Sequence, residues 1–333
     1  MTCADKYYES IDMATARHPQ SLLCYEMYDK PPDRGHGVPL RLQMPTTLGY
    51  NQAKHPVRVM NRPHAIRRFF VAALLAVAGF AVPSARTADP FDKTFATYRD
   101  LLTRFVRDGK VDYAALTSGR SVLDRSVEAF GRVAMADEMA WPRGERIAFW
   151  INAYNLFTLR SIADHYPIRG SVFTLYPRNS IRQIDGVWTT QHWSAAGRSV
   201  TLDQIEHEIL RPTFKDPRIH FTINCASTSC PTLRSEPFVG SDIEAQLDDA
   251  TRRFLSSAQG ARSVGSRLLV SSLFKWYGAD FAVSDTGVKG DAAIRAFIER
   301  YGPPEAVRAA RASAPIRFLS YDWSLNDINR HQP

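Results

Sequence analysis

One segment near the middle of the chain constrains the fold most. Residues 142–165 have the sequence PRGERIAFWINAYNLFTLRSIADH, and on a helix their apolar side chains cover nearly every face. Pro142 suits the first turn of a helix, and Pro167 cannot continue one. A helix that is apolar on all sides is buried inside a protein. We therefore predict a folded domain built around this helix.

The remainder of the chain predicts more helix than strand. Apolar residues at helical spacing indicate helices over 91–107, over 123–133 and after Gly290. Capping boxes at 201–204 and 241–244 indicate two further helix starts. Short strands are predicted at 219–223, 268–270 and 316–319. The pattern predicts an α+β fold, a single mostly helical domain with a small sheet of short strands, over 89–333.

A leader is predicted before this domain. Residues 60–88 begin with arginines, continue as an uncharged run of 14 residues over 69–82, and end in small residues. Such a run is too short for a membrane span, which needs about 20 residues, and is typical of a signal peptide. An uncleaved membrane anchor is the alternative. The expected location is periplasmic or secreted, with no stable membrane insertion after cleavage.

Residues 1–59 are interpreted as a doubtful N-terminal extension. They are polar, rich in Pro and Tyr, and they precede a signal peptide that should itself begin the chain. Met60 is therefore a candidate for the true start, and a disordered extension is the alternative. The net charge of +8 is concentrated here, since residues 1–88 carry 11 Lys+Arg against 6 Asp+Glu. The remaining body gives no reason to expect a nucleic-acid partner.

Only two of the four cysteines, Cys225 and Cys230, lie beyond the leader. In an exported protein such a pair can be a disulfide, a metal-binding pair, or a reactive thiol with a bystander. Cys225 can also be a small buried side chain. On a regular strand His220 would face away from Cys225, five residues later, so His220 is a direct base only if the strand is irregular.

Four motifs together resemble a known family. They are FWINAYN at 149–155, IEHEILR at 205–211, HFTINCASTSCP at 220–231 and YDWSLN at 321–326. The sequence resembles the domain of unknown function 547 (DUF547) family over about 140–325. The resemblance implies that the first thiol, the preceding His-Phe and the Glu-His pair are shared by its members. It thereby implies that Cys225 matters more than Cys230 and that an obligatory disulfide is less expected.

The leading functional hypothesis is a thiol-dependent hydrolase or acyl transferase centred on one cysteine. Cys225 is the predicted nucleophile, and His207 and His220 are the candidate bases. The groups predicted to orient the base are Asn152, Asn155 and Glu206. Since buried amides must be hydrogen-bonded, the two asparagines can instead fasten their helix to a neighbouring backbone.

The predicted substrate contacts come from Trp188, Trp193 and Cys230, and the expected partner is a peptide or glycan of the cell envelope. No phosphate loop, dinucleotide fingerprint or paired zinc motif is present in the sequence, so no metal and no cofactor are predicted. The alternative hypothesis is a non-catalytic envelope module that binds such a partner, with both cysteines structural.

Overall fold

The computed structural model describes residues 91–282 and 287–329, and the backbone of four strand segments nearer the N-terminus. Contacts divide the chain into two units, Met1–Ser84 and Ala85–Pro333. In the first unit Thr2–Cys3 pairs with Pro56–Arg58 and Leu22–Cys24 pairs with Arg41–Gln43, both antiparallel. The predicted signal peptide lies outside the described residues.

The second unit is mostly helical and has the predicted α+β character. Its α-helices are Ala96–Phe105, Tyr113–Ser118, Ser121–Gly131, Met135–Ala140, Arg143–His165, Leu202–Gln204, Arg211–Phe214, Ile243–Leu255, Leu273–Trp276, Asp291–Tyr301 and Pro304–Arg311. A π-helix over Ile205–Leu210 joins two of them. Short 3-10 helices lie at Ile181–Gln183, Pro217–Phe221, Gly240–Asp242 and Gly278–Phe281. Within the described part of the chain, no helix has the length and apolar character that crossing a membrane requires.

The strands are short and form small sheets. Arg267–Val270 is the central strand of a three-stranded sheet, antiparallel to Ala261–Val264 and parallel to Ile316–Phe318. The described residues also form two hairpins, Val106–Arg107 with Lys110–Val111 and Trp193–Ala195 with Arg198–Val200.

The first hairpin differs from the sequence prediction of a helix over 91–107. The helix ends at Phe105, and Asp108 and Gly109 turn the chain with φ angles of 50° and 75°. Positive φ at both central residues is what a tight hairpin turn requires, and Asp-Gly supplies it readily. The Asp-Gly pair therefore makes a hairpin after the helix.

The helix Arg143–His165, called the central helix below, is buried as predicted. Sixteen of its 23 residues are buried, and Trp150 is fully enclosed. The buried carboxylate of Glu138 accepts hydrogen bonds from Trp150 Nε1 at 2.9 Å and from Arg146 Nε at 2.8 Å. The indole therefore has both an apolar environment and a partner for its N–H group.

The strand predicted at 219–223 is wrong. Pro217–Phe221 is a 3-10 helix whose first turn is capped by the side chain of Asp216, which accepts from Arg218 N. The alternating apolar residues arise because the segment lies between two cores: Ile219 belongs to the core around the central helix, and Phe221 to a second core at the three-stranded sheet. Alternation here reflects burial on two sides of an irregular chain.

The two predicted capping boxes have different outcomes. Thr201 accepts from Gln204 N, and the Gln204 side chain accepts from Thr201 N, so the first box is confirmed. The second is wrong, because a 3-10 turn over Gly240–Asp242 leads into the helix Ile243–Leu255 without a side-chain cap.

Candidate functional site

A cavity of about 650 Å³ collects most of the residues that the sequence singled out. It lies where the π-helix, the Cys225–Cys230 loop, the chain around Trp276 and the C-terminal segment meet. Six of the nine predicted site residues line it, namely Glu206, His207, His220, Cys225, Cys230 and Trp188.

The two cysteines in the cavity wall form a disulfide. Cys230 Sγ accepts hydrogen bonds from Cys225 N at 2.9 Å, from the Tyr321 hydroxyl at 3.2 Å and from the Ser227 hydroxyl at 3.3 Å. Cys230 is buried, with 7% of its surface exposed, and Cys225 is half-buried. The thiol chemistry predicted for Cys225 therefore requires prior reduction of this bond.

The C-terminal segment explains why residues so far apart in sequence meet at the sulfurs. Thr228 N donates to Ser324 O at 2.8 Å, and Asn326 N donates to Ala226 O at 3.1 Å. This pairing brings Tyr321 over the disulfide. Ala226 is fully buried with a φ of 56°, which is uncommon for a residue with a side chain and is concentrated at functional sites.

A chain of polar contacts connects the two histidines of the cavity. His220 Nε2 lies 2.8 Å from Asp280 Oδ2, and the guanidinium of Arg211 donates two hydrogen bonds to the same carboxylate. Arg211 Nη1 also donates to Nδ1 of His207. Although burial acts in the opposite direction, the hydrogen bonds from His220 and Arg211 hold the pKa of Asp280 well below its ordinary value.

This geometry decides which nitrogen of His220 is free. An ionised carboxylate only accepts hydrogen bonds, so the Nε2 atom of His220 carries the proton. The other ring nitrogen, Nδ1, is buried without a hydrogen-bond partner among the described residues. An imidazole oriented by a carboxylate through one nitrogen, with the other unoccupied, is the arrangement of a general base.

The π-helix places Glu206 in the cavity. Such wider turns occur often at functional sites, and here Glu206 is buried while the adjacent His207 is exposed. Within the described part of the chain, Glu206 Oε1 is buried without a hydrogen-bond partner. Burial and the neighbouring Glu206 carboxylate raise the pKa of Tyr277, so its hydroxyl stays protonated as a donor. Burial likewise raises the pKa of Tyr321.

The three remaining predicted residues lie away from the cavity lining. The Asn152 side chain donates to Phe238 O at 2.7 Å and accepts from Phe238 N at 3.0 Å. Asn155 donates to Thr222 O at 2.9 Å and accepts from Asn224 N at 2.7 Å. Both amides thus fasten the central helix to neighbouring backbone. Trp193 stacks on Phe157 with ring centroids 5.4 Å apart.

Several lining residues were not predicted from the sequence. The aromatic wall consists of seven lining residues, of which only Trp188 was predicted: Tyr154, Tyr176, Trp188, Trp276, Tyr277, Tyr321 and Trp323. The guanidinium of Arg182 lies 4.6 Å from the Tyr176 ring centroid and 4.8 Å from that of Trp323. The YDW sequence at 321–323 already belonged to a motif of the resemblance, so it carried a usable signal. Asp280 carried none, because a single Asp in a short turn looks like any surface residue.

No group of three or more His, Cys, Asp or Glu side chains in the described part of the chain is arranged to hold a metal ion. The chemical groups available at the cavity are instead a disulfide, an oriented imidazole, a buried carboxylate and neutral hydroxyls. This set can bind a ligand rich in hydrogen-bond donors, accept protons, and exchange sulfur–sulfur bonds.

Comparison with known proteins confirms the resemblance drawn from the motifs. Residues 139–255 match the family model described as protein of unknown function, DUF547. The matched region contains the central helix, the π-helix and the cysteine loop. That description assigns no activity. No solved structure matches this chain.

A different match lies at the N-terminus. Residues 1–67 match the family model described as oxidoreductase molybdopterin binding domain. Nearly all of these residues lie outside the described part of the chain.

A curated relative from Azospira oryzae is named "Putative protein-methionine-sulfoxide reductase subunit YedZ1". It is 49% identical over 53 residues, which are 16% of this chain and 20% of the relative. The chain therefore matches only about a fifth of the relative's length.

Proposed function

We propose that the cavity carries out thiol–disulfide exchange with a cysteine-containing polypeptide. The observation that supports this activity is the position of the Cys225–Cys230 disulfide in a cavity wall, with a backbone N–H at Cys230 Sγ and two hydroxyls near both sulfurs. A disulfide that only staples a loop needs neither access to a cavity nor donors that favour a thiolate.

The two sulfurs have different roles in this proposal. Cys225 is half-buried and Cys230 is buried, so the incoming thiolate attacks Cys225. Cys230 is the leaving group, because the Cys225 N–H donates to its sulfur and stabilises the developing negative charge. The hydroxyls of Ser227 and Tyr321 lie 3.2–3.4 Å from both sulfurs, so they stabilise a thiolate at either position. A better stabilised leaving thiolate speeds the exchange.

The reaction balances with a substrate dithiol as the reductant. The first substrate thiolate forms a bond to Cys225 Sγ, the bond between Cys225 and Cys230 breaks, and its electron pair goes to Cys230 Sγ. The second substrate thiolate attacks the substrate sulfur of this mixed disulfide and releases Cys225 as a thiolate. The substrate loses two electrons and two protons and gains a disulfide. The protein gains two thiols, and further turnovers need a second disulfide as oxidant.

The protons of the substrate thiols have two acceptors in the cavity. Nδ1 of His220 has a free lone pair because Nε2 faces Asp280, and Glu206 Oε1 has no partner among the described residues. The thiolate is the nucleophile in such exchange, so an acceptor that removes its proton promotes attack. The aromatic wall supplies apolar contact for the polypeptide on either side of the cysteine.

A single-turnover experiment tests this activity. The oxidised protein is mixed with a reduced peptide that carries two cysteines, and peptide and protein thiols are counted over time. We expect one peptide disulfide for each Cys225–Cys230 bond reduced. Cys225→Ser and Cys230→Ser cannot form this bond, so they should not oxidise the peptide through it. Tyr321→Phe should slow the exchange several-fold, whereas Tyr301→Phe, outside the cavity lining, should not. A rate that is unchanged in Tyr321→Phe contradicts the proposal.

Thiol-dependent hydrolysis or acyl transfer is a second candidate, supported by the pair of Asp280 and His220. It requires a reduced Cys225 that attacks a carbonyl carbon, with His220 as base. Reduced protein would then give a burst of product from an activated ester, and Cys225→Ser would abolish the burst. Oxidised protein would give none, whereas only oxidised protein oxidises the dithiol peptide.

A peptide or glycan that binds in the cavity without thiol exchange would instead favour the non-catalytic module.

Export of the protein is consistent with the proposed exchange, because disulfides persist in oxidising compartments. We infer that residues 60–88 are a signal peptide removed between residues 82 and 89, which the intact mass of the exported protein tests. The relative from Azospira oryzae is named for a redox enzyme, which agrees with this chemical class but rests on a short match.

A further inference from the structure

We propose that the loop Arg169–Arg178 docks reversibly on an anionic lipid bilayer. Its tip carries three large apolar side chains that face solvent: Val172 is 63% exposed, and Phe173 and Leu175 are 97% and 101% exposed. Exposed large hydrophobic residues are few in the described part of the chain, and three of them fall within these four positions. A contiguous apolar patch of this kind indicates an interaction site.

The base of the loop is held in place by its own hydrogen bonds. Gly170 N donates to Arg178 O at 2.9 Å, and Arg178 Nε donates to Gly170 O at 3.1 Å. The side-chain amide of Gln183 donates to Ser171 O at 3.0 Å and to Thr174 Oγ1 at 2.7 Å. The backbone polar groups at the base thus have partners while the apolar tip remains exposed.

The charge of this segment indicates which kind of partner it binds. Between Asp164 and Asp185 the sequence contains Arg169, Arg178 and Arg182 and no acidic residue, and all three arginines are exposed. An apolar tip flanked in sequence by arginines fits the boundary of an anionic bilayer, where apolar side chains enter the acyl region and guanidinium groups stay with the headgroups.

A protein partner fits the loop less well. A stable protein interface needs about 20–30 residues on each side, with few charges in its centre. The tip offers three apolar side chains and is flanked closely by arginines. The contact is interfacial and reversible, so it differs from insertion of a membrane-spanning helix.

Docking would also orient the cavity. Tyr176 follows directly after the tip and, with Arg182, lines the cavity wall. The bilayer surface would therefore lie beside the cavity, which favours substrates held at or emerging from the membrane. The docking does not require thiol exchange to be correct, because it depends only on the loop.

Vesicle flotation with the full chain tests the proposal. Vesicles of phosphatidylcholine alone are compared with vesicles that contain about one third phosphatidylglycerol. We expect the wild type to float with the anionic vesicles, and Phe173→Ser/Leu175→Ser to lose at least fivefold in the bound fraction. The matched control Val264→Ser/Phe318→Ser removes two exposed apolar side chains from the three-stranded sheet and should bind as the wild type does.

A charge variant separates the lipid surface from other partners. Arg169→Gln should weaken binding to anionic vesicles severalfold, and Arg107→Gln, an exposed arginine in the first hairpin, should not. Equal binding by the loop variant and the wild type would show that another segment carries the contact and would overturn the proposal. Binding to neither vesicle type, or equally to both, would also overturn it.

Discussion

Two asparagines of the central helix and two residues of the cavity lining differ in how their buried polar atoms are paired. Asn152 and Asn155 lie deep in the core, and both polar atoms of each side chain are hydrogen-bonded to backbone. Glu206 and His220 are also at least nine-tenths buried, yet Glu206 Oε1 and His220 Nδ1 have no partner within the described part of the chain.

The difference distinguishes stability from function. Leaving a buried polar atom unpaired costs about 1–3 kcal/mol. Thr158 Oγ1 and Ser161 Oγ on the central helix are also buried without a partner among the described residues, so it is the place of Glu206 and His220 in the cavity lining that points to a function. The satisfied amides stabilise the helix against its neighbours. Glu206 and His220 belong to the cavity lining, as do both cysteines of the disulfide. Substitutions in the two regions should therefore have opposite signatures.

The largest expected effect is on stability and comes from the central helix. Trp150→Ala should lower the free energy of unfolding by about 3–5 kcal/mol, because it opens a cavity in the core and removes a partner of Glu138. Trp276→Ala is the matched control, since Trp276 is 46% exposed at the cavity wall. Denaturant unfolding measures the free energy of unfolding of both variants. Equal losses of stability would contradict the distinction between the central helix and the cavity.

Asn155→Ala tests the hydrogen bonds that join the central helix to the neighbouring backbone. It leaves Thr222 O and Asn224 N without their partner, at about 1–3 kcal/mol for each group. Because these atoms lead into the cysteine loop, the variant should also release that loop locally. Hydrogen exchange at the Asn224 amide should accelerate. If this amide stays protected in a destabilised variant, Asn155 does not hold the cysteine loop in place.

Glu206→Gln should have the opposite signature. The swap keeps the shape and removes a buried charge, so the free energy of unfolding should change by less than about 1 kcal/mol or increase. The rate of thiol–disulfide exchange should fall by roughly tenfold or more if Glu206 takes a proton.

The matched control is Glu138→Gln, at a buried carboxylate outside the cavity lining. Glu138 Oε1 accepts from Arg146 and Trp150, and Glu138 Oε2, like Glu206 Oε1, has no partner among the described residues. This substitution should cost about 1–3 kcal/mol of stability and leave the exchange rate alone. Reversal of the two outcomes, measured by unfolding and by peptide oxidation, would remove the functional assignment of Glu206.

The smallest expected effect concerns pH. The pKa of Asp280 in the folded protein lies below the ordinary value of 3.8, so its stabilising contribution is present above about pH 4 and is lost as the pH falls further. Asp280→Asn should therefore flatten the fall of stability between about pH 4 and pH 2, by under ~1 kcal/mol because the carboxylate is partly exposed. An unchanged acid slope would mean that the ion pair with Arg211 contributes nothing.

The sequence predicted the central helix and the short strands at 268–270 and 316–319 because their apolar patterns are local. It predicted the segment at 219–223 wrongly, because alternating burial between two cores looks the same as a pleated strand. The position of Asp280 beside His220 depends on chain segments 60 residues apart, and no local pattern encodes such a contact. The contact between the Tyr321 hydroxyl and the sulfurs also joins segments that are far apart in the sequence, so no local pattern predicts it.

The central claim is that Cys225 is the exchanging sulfur and Cys230 the protected one. Reduced Cys230→Ser and Cys225→Ser proteins are each mixed with a peptide disulfide, and adducts are located by peptide mass mapping, which separates them from Cys3 and Cys24. The account predicts that Cys225 forms the mixed disulfide many-fold faster than Cys230 in the folded proteins, and that the two rates converge in denaturant. Equal rates in the folded proteins, or faster reaction at Cys230, would contradict it.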